Sequence, residues 1–188
     1  MGADAVTRRY ALVDRDGTIN EERHHLATAD EVTLIPGSAE ALVRLRDLGM
    51  GIVVVTNQAE VGRGNLDPAE LERIHERLRA LLAAHGATLD AIEVCPHRPE
   101  DRCDCRKPAA GMALRAADRF GFDPAESVVI GDHDSDLGMG RAIGATTILV
   151  RTGHGATAEA FADDLADHVA DDLAGAVTII AGLVERKD

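Results

Sequence analysis

Five short runs of the chain are apolar almost throughout: residues 10–13, 51–55, 91–94, 127–130 and 146–150. Unbroken apolar runs, rather than strict alternation, are the pattern of strands covered on both faces. The segments between them change period. Leu71, Ile74, Leu78, Leu81 and Leu82 recur on one helical face. Asp67-Pro68-Ala69-Glu70 opens that helix as cap, first-turn proline and third-position acid, and Gly86 ends it. Ser38 reads as the cap of a helix running to Leu48, with Gly49 just beyond. Residues 112–120 and 136–143 also read as helices, each followed by glycine, and a last helix starts near Asp172. The acidic stretch 163–172 reads as a solvated loop and helix edge. Regular alternation of strand and helix predicts an α/β fold, a parallel sheet with helices on both faces. No repeat or low-complexity linker interrupts it, so one domain is expected over residues 1–188.

In such sheets ligands bind beyond the carboxyl ends of the strands. Three apolar runs lead straight into polar clusters: Asp14-Arg15-Asp16-Gly17-Thr18, Thr56-Asn57-Gln58, and Gly131-Asp132-His133-Asp134-Ser135-Asp136. All three should meet at one edge. Asp14 and Asp16 stand two apart, where alternation points both the same way. Two ionised carboxylates at one spot require a cation between them, and either Asp132 or Asp136 adds oxygens. Oxygen ligands with room for water and phosphate suit Mg²⁺. Lys107 supplies a charge that can neutralise a phosphoryl group.

Charge and composition narrow the substrate. The formal net charge is -13, which argues against polynucleotides, because a nucleic-acid binder neutralises phosphates with Lys and Arg. A small phosphorylated substrate remains compatible, since a metal and a few cations dominate one pocket. Aromatics are only 2% of residues, so the core must be aliphatic. No apolar run approaches about 18 residues, and the N-terminus lacks the apolar stretch of a signal peptide. Neither membrane nor nucleic acid is expected as a partner, and a cytoplasmic monomer is the expectation. The three cysteines, Cys95, Cys103 and Cys105, fall in one short stretch with His97. Three thiols and an imidazole make a closed four-ligand set, suited to structural Zn²⁺. Reduced cysteines beside a chance histidine are the plain alternative.

Taken together, Asp14-x-Asp16-Gly17-Thr18, Thr56-Asn57-Gln58, Lys107-Pro108 and Gly131-Asp132-x₃-Asp136 resemble the haloacid dehalogenase-like (HAD) phosphohydrolases, in order, from Ala11 to about Gly153. The resemblance implies a three-layer Rossmann-like HAD fold, with no large cap domain between motifs. It also implies roles. Asp14 attacks phosphorus and forms an aspartyl-phosphate; Asp16 protonates the leaving oxygen and then activates water. Mg²⁺ is held by Asp14, Asp132 and the main-chain carbonyl of Asp16. Thr56 and Lys107 bind the transferring group, with Asp136 as support for Lys107 or its loop.

Asp14 to Asn20, Cys105-Arg106-Lys107-Pro108, Gly111-Met112 and Leu149 to Gly153 further resemble the D-glycero-D-manno-heptose 1,7-bisphosphate 7-phosphatase family. The related histidinol-phosphate phosphatases share the first motif and the zinc loop. The substrate implied is a small phosphorylated sugar, contacted by Glu22, Arg23, His24, His25, Asn57, Gln58, Arg106 and Lys107. The zinc loop, 95–105, is expected to place Arg106 and Lys107 over the phosphate. Glu60 and His133 depart from the family pattern, Glu60 adding negative charge near the substrate. His75 and His85 read as exposed residues of a helix.

Overall fold

The computed structural model describes residues 8–23, 26–162 and 164–185. His24 and His25, expected at the substrate, lie outside the described residues. In chain order the elements are β1 (Tyr10–Val13), α1 (Ser38–Asp47), β2 (Gly51–Asn57), α2 (Ala59–Gly62), α3 (Pro68–Ala84) and β3 (Ala91–Cys95). They continue with α4 (Gly111–Phe120), β4 (Val128–Gly131), α5 (Asp134–Ile143), β5 (Thr146–Val150), α6 (Gly155–Ala158), β6 (His168–Ala170) and α7 (Leu173–Glu185). The strands form one parallel sheet in the order β3-β2-β1-β4-β5-β6. Strand order reverses between β1 and β4, and a crevice opens at the carboxyl ends of such a switch point.

Strand alternation divides the core. Ala11, Val13, Ile52, Val54, Ile130, Ile148 and Val150 face α1, α3 and α7, meeting Leu42, Leu45, Ile74, Leu78, Leu82, Val177 and Ile180. Tyr10, Leu12, Val53, Val55 and Val129 face α4 and α5, meeting Met112, Ala113, Ala116 and Met139. Both faces are therefore covered, as the apolar runs require. Tyr10, Phe120 and Phe122 gather on the second face. Tyr10 stacks on Phe122 with ring centroids 4.3 Å apart, and Gly51 leaves room for it, since a Cβ there would lie 2.1 Å from the ring. Among the described residues no separate cap domain stands over the sheet edge, and no helix is long and apolar enough to cross a membrane.

Helix α3 starts where the sequence placed it, with Asp67 Oδ1 accepting from the Ala69 amide at 2.7 Å. Three expectations change. Ser38 does not cap α1: Gly37, with φ 82°, precedes the helix, and the buried Ser38 hydroxyl donates to Ile19 O at 2.8 Å. That bond ties the loop after β1 to α1. The acidic stretch contains a sixth strand, β6, whose Ala170 pairs with Val150; the run is short and half-polar because β6 is the sheet's edge. His75 is not exposed but buried, on the same apolar stripe as Leu71, Ile74 and Leu78. His85, by contrast, is exposed and pairs with Glu40. The long segment after Asn20 folds back on α3, where the Ala29 amide donates to Glu70 at 3.0 Å, and it buries Leu26 and Val32.

Candidate active site

The registers Val13↔Val54 and Val13↔Ile130 bring the carboxyl ends of β1 and β4 level within a residue, while β2 runs on beside them to Asn57. Asp14, Thr56 and Asp132 therefore emerge at one edge, where a cleft of about 280 Å³ opens. Asp14, Asp16, Glu22, Arg23, Thr56, Asn57, Gln58, Arg106, Lys107, Asp132 and Asp136 all line it. Glu60 and His133, the two departures from the family pattern, line it too, and so, beyond the residues expected, do Arg15, Arg63, Ser135 and His154.

At its floor Lys107 is 5% exposed. Its Nζ donates to Asp14 Oδ1 at 2.7 Å and to Val55 O at 2.8 Å, and it sits 2.5 Å from Asp136 Oδ1. Burial alone would lower its pKa, but the Asp136 and Asp14 carboxylates more than offset this and raise it. Burial, then the charges of Asp136, Asp132 and Asp16, push Asp14 well above the usual carboxylate range; Lys107 opposes them. Asp132 is raised as well, chiefly by burial. Its Oδ2 accepts from the His154 amide at 2.7 Å. Asp136 Oδ2 accepts from the His133 amide at 3.1 Å.

The carboxylate cluster is Asp14, Asp132 and Asp136, with one oxygen of each within 4.8 Å of the others. Three buried carboxylates against one lysine leave negative charge that a divalent cation would cancel, so the donor set fits Mg²⁺. The neighbourhood is shaped for Asp132: a Cβ on Gly17 or Gly153 would fall 2.1 Å from its Oδ2. The side chain of Asp16 is turned elsewhere, to a grip of donors, instead of sharing a spot with Asp14. Arg15 Nη2 donates to its Oδ2 at 2.7 Å, Asn20 Nδ2 to Oδ1 at 2.9 Å and Gln58 Nε2 to Oδ2 at 2.9 Å. Burial pushes Asp16 up, yet the Arg15 charge and these bonds outweigh it and lower the pKa.

Residues expected at the substrate are partly occupied with one another. Asn57 brackets the Lys107 backbone, accepting from Lys107 N at 3.0 Å and donating to Lys107 O at 3.2 Å. Gln58 Nε2 also donates to Thr56 Oγ1 at 2.8 Å. Arg106 leans on the His97 carbonyl at 3.3 Å while lining the cleft. Glu60 does not present a bare charge, because Arg63 pairs with it and Asn65 donates to it. Arg15 was not singled out in the sequence, and His75 was read there only as an exposed helix residue. Arg15 sits between two aspartates of the motif, and His75 on the core stripe of α3; those positions were the available signals.

Beside the cleft Cys95, His97, Cys103 and Cys105 form a second cluster. Their separations are 3.0 Å (Cys95–Cys105), 3.2 Å (His97–Cys105), 3.5 Å (Cys103–Cys105) and 3.6 Å for Cys95 to both His97 and Cys103. Ligands on a tetrahedral zinc lie roughly 3.5–3.8 Å apart from the Zn–S and Zn–N lengths, so the set is close to that shape and fits the ion. Burial and the Cys105 contact push the Cys95 thiol up to about 12. The loop is fastened at both ends. Gly62 N donates to Pro96 O at 2.9 Å and Gly111 N to Asp104 O at 2.9 Å. A Cβ would meet those same carbonyls at 2.6 and 2.5 Å respectively.

Sheet order, switch-point cleft and the aspartate–lysine cluster define an HAD-like hydrolase. The HAD-hydrolase-like family model matches residues 104–176. A D-glycero-beta-D-manno-heptose-1,7-bisphosphate 7-phosphatase from Pseudomonas aeruginosa is 41% identical over 151 residues, covering 80% of this chain and 85% of the relative. The Escherichia coli K12 enzyme of the same name is 38% identical over 171 residues, covering 87% of this chain and 88% of that protein. The crystal structure of D,D-heptose 1,7-bisphosphate phosphatase from B. bronchiseptica, complexed with magnesium and phosphate, superposes with TM-score 0.86 at 35% identity. It covers 93% of this chain and 99% of that one. The chain belongs to the D-glycero-β-D-manno-heptose-1,7-bisphosphate 7-phosphatase family.

Proposed function

We propose that the chain is a Mg²⁺-dependent phosphatase that removes the C7 phosphate of D-glycero-β-D-manno-heptose 1,7-bisphosphate. The observation that carries this is the buried contact of Lys107 with both Asp14 and Asp136, beside Asp132 and a separately held Asp16. Lys107 engages Asp14 Oδ1, so attack on phosphorus is assigned to Oδ2. A bond forms between that oxygen and phosphorus as the bond from phosphorus to the C7 oxygen breaks. The electron pair leaves with the C7 oxygen, which takes a proton from Asp16. Asp16 then removes a proton from water, whose oxygen attacks the aspartyl-phosphate; inorganic phosphate departs and Asp14 is restored. The Arg15 charge and the bonds from Asn20 and Gln58 hold Asp16 ionised before substrate arrives, so the proton it gives to the C7 oxygen is taken up as the phosphorylated substrate enters the site. Lys107 and Thr56 hold the transferring oxygens.

Asp14, Asp132 and the Asp16 carbonyl would hold Mg²⁺, which when bound would supply positive charge to the developing phosphoryl transition state. Asp136 keeps Lys107 in place. Cys95, His97, Cys103 and Cys105 would hold a structural Zn²⁺, which would close the loop that carries Arg106 and Lys107. Glu22, Arg23 and Arg106 at the rim contact the sugar bisphosphate. Free thiols suit a reducing, cytoplasmic setting.

The test is phosphate release from both anomers of heptose 1,7-bisphosphate and from histidinol phosphate, with Mg²⁺. Preference for the β-anomer by more than about tenfold in kcat/KM, ~1.4 kcal/mol, is expected. Preference for histidinol phosphate would overturn the substrate assignment, though not the chemistry.

A further inference from the structure

Arg15 heads the fully buried large side chains, at 1% exposure, and directly follows the nucleophile. A guanidinium is always charged and has five donors and no acceptor. Nε lies 3.1 Å from both Asp16 oxygens and Nη2 lies 2.7 Å from Oδ2. Nη1 points the other way, 3.1 Å from Nε2 of His75 on α3. Arginine cannot accept, so Nη1 donates and Nε2 accepts. The ring proton then sits on Nδ1, and the imidazole is neutral. The surroundings favour that form. Burial, then the Arg15 charge, lower the His75 pKa to about 4. The other charged groups facing the ring are Glu72, whose Oε2 is 3.8 Å from Nδ1, with Arg79 and Asp16. His75 is 2% exposed and cannot swing away, because α3 packs it beside Ile74 and Leu78.

We propose that His75 is a positioning residue for the phosphatase reaction: by accepting from Arg15 Nη1 it fixes the guanidinium fork that presents Asp16. This rests on Asp16 as the acid and base of the proposed function. Removing the acceptor leaves a buried donor unpaired, so the guanidinium turns toward another partner and Asp16 follows it. A displacement of about 1 Å in a reacting group can cost on the order of 100-fold in rate. Substrate binding, which uses other groups, should hardly change.

The experiment compares His75→Leu, His75→Gln, Arg15→Lys and the Arg15→Lys/His75→Leu double variant in the intact Mg²⁺-loaded protein, with heptose 1,7-bisphosphate. Leucine fills similar space without an acceptor, whereas glutamine restores one. His75→Leu should lower kcat by about tenfold or more with KM little changed, within the misplacement range above. His75→Gln should recover most of that loss. The double variant should be no slower than Arg15→Lys alone, because His75 acts through Arg15. If the leucine variant does not fold, His75→Met takes its place. Wild-type kcat in the leucine or methionine variant would overturn the inference, as would equal losses in the glutamine variant or additive losses in the double variant. Asp16→Asn separates the two readings: if it keeps full activity, the role of Asp16 fails; if it is inactive while His75→Leu is normal, only the role of His75 fails.

Discussion

Lys107 reaches Asp14 across 93 positions of sequence and meets it in the interior, Nζ to Oδ1 at 2.7 Å. With Asp136 on its other side, the lysine is the charge that opposes burial and the neighbouring carboxylates, which push Asp14 up. Lys107→Met should therefore do two things. Its kcat should fall by at least ~100-fold, the scale of losing one donor to a developing charge. In chelator the fold should lose about 3–5 kcal/mol, the usual result of stripping one partner from a buried ion pair. Urea denaturation and steady-state kinetics check both; near wild-type values would mean that the contact is incidental.

Asp132 makes a separate demand on backbone shape. Gly153 has φ +56°, and a Cβ there would lie 2.1 Å from Asp132 Oδ2 and 2.6 Å from Gly17 Cα. Gly153→Ala must displace the carboxylate. For the chelator-stripped wild type, Mg²⁺ at 100 times its Kd should stabilise by about 2.7 kcal/mol. Gly153→Ala should lose most of this, with the midpoint of a Mg²⁺ titration raised more than about tenfold, ~1.4 kcal/mol. An unchanged titration would remove Asp132 from the metal site.

Why these features were or were not visible in the sequence follows from their physics. The apolar runs and the polar clusters after them are local, so the sheet and the meeting of Asp14, Thr56 and Asp132 at one edge could be read directly. Gly111 and Gly62 carry a readable signal whose reason is spatial: each lets a backbone carbonyl of the zinc loop approach. β6 was hidden because an edge strand is short and half-polar, and three residues give no period. His75 was misread from its residue type. Its spacing, four after Leu71 and three before Leu78, places it on the buried stripe, but only the fold shows that Arg15 waits there. The turn of Asp16 away from Asp14 was likewise not wholly local, since it depends in part on Gln58, just past the end of β2.

Cys95 and Cys105 lie 3.0 Å apart with His97 and Cys103 close by. Metal analysis of the purified protein should find one zinc per chain, and Cys105→Ser should lose it. Because Arg106 and Lys107 follow the last cysteine directly, loss of zinc with Mg²⁺ retained should raise KM or lower kcat. Removing a structural metal should also lower the Tm markedly, since its binding energy is folding energy. Zinc-free protein with unchanged kinetics would mean that the loop holds its shape by the Gly62 and Gly111 contacts alone.

The buried His75 also leaves a signature in stability. Its pKa in the folded protein is lowered to about 4, from an ordinary value of 6.5, by burial first and then by Arg15. A depressed histidine pKa means that the unfolded chain takes up the proton more readily. The stability contributed by neutral His75 is therefore complete above about pH 6.5 and is lost progressively as the pH falls from there to about 4. The full difference is on the order of 3 kcal/mol. Carboxylates raised by burial, such as Asp14 and Asp132, also exchange protons on unfolding as the pH falls, so the comparison must be internal. Unfolding free energies of wild type and His75→Gln, measured by urea at pH 7.5 and 4.5, should differ in their pH dependence, the wild type losing more on acidification by about 2 kcal/mol. If both proteins lose the same amount, His75 is not titrating in this window, and the neutral ring that accepts from Arg15 would need another explanation.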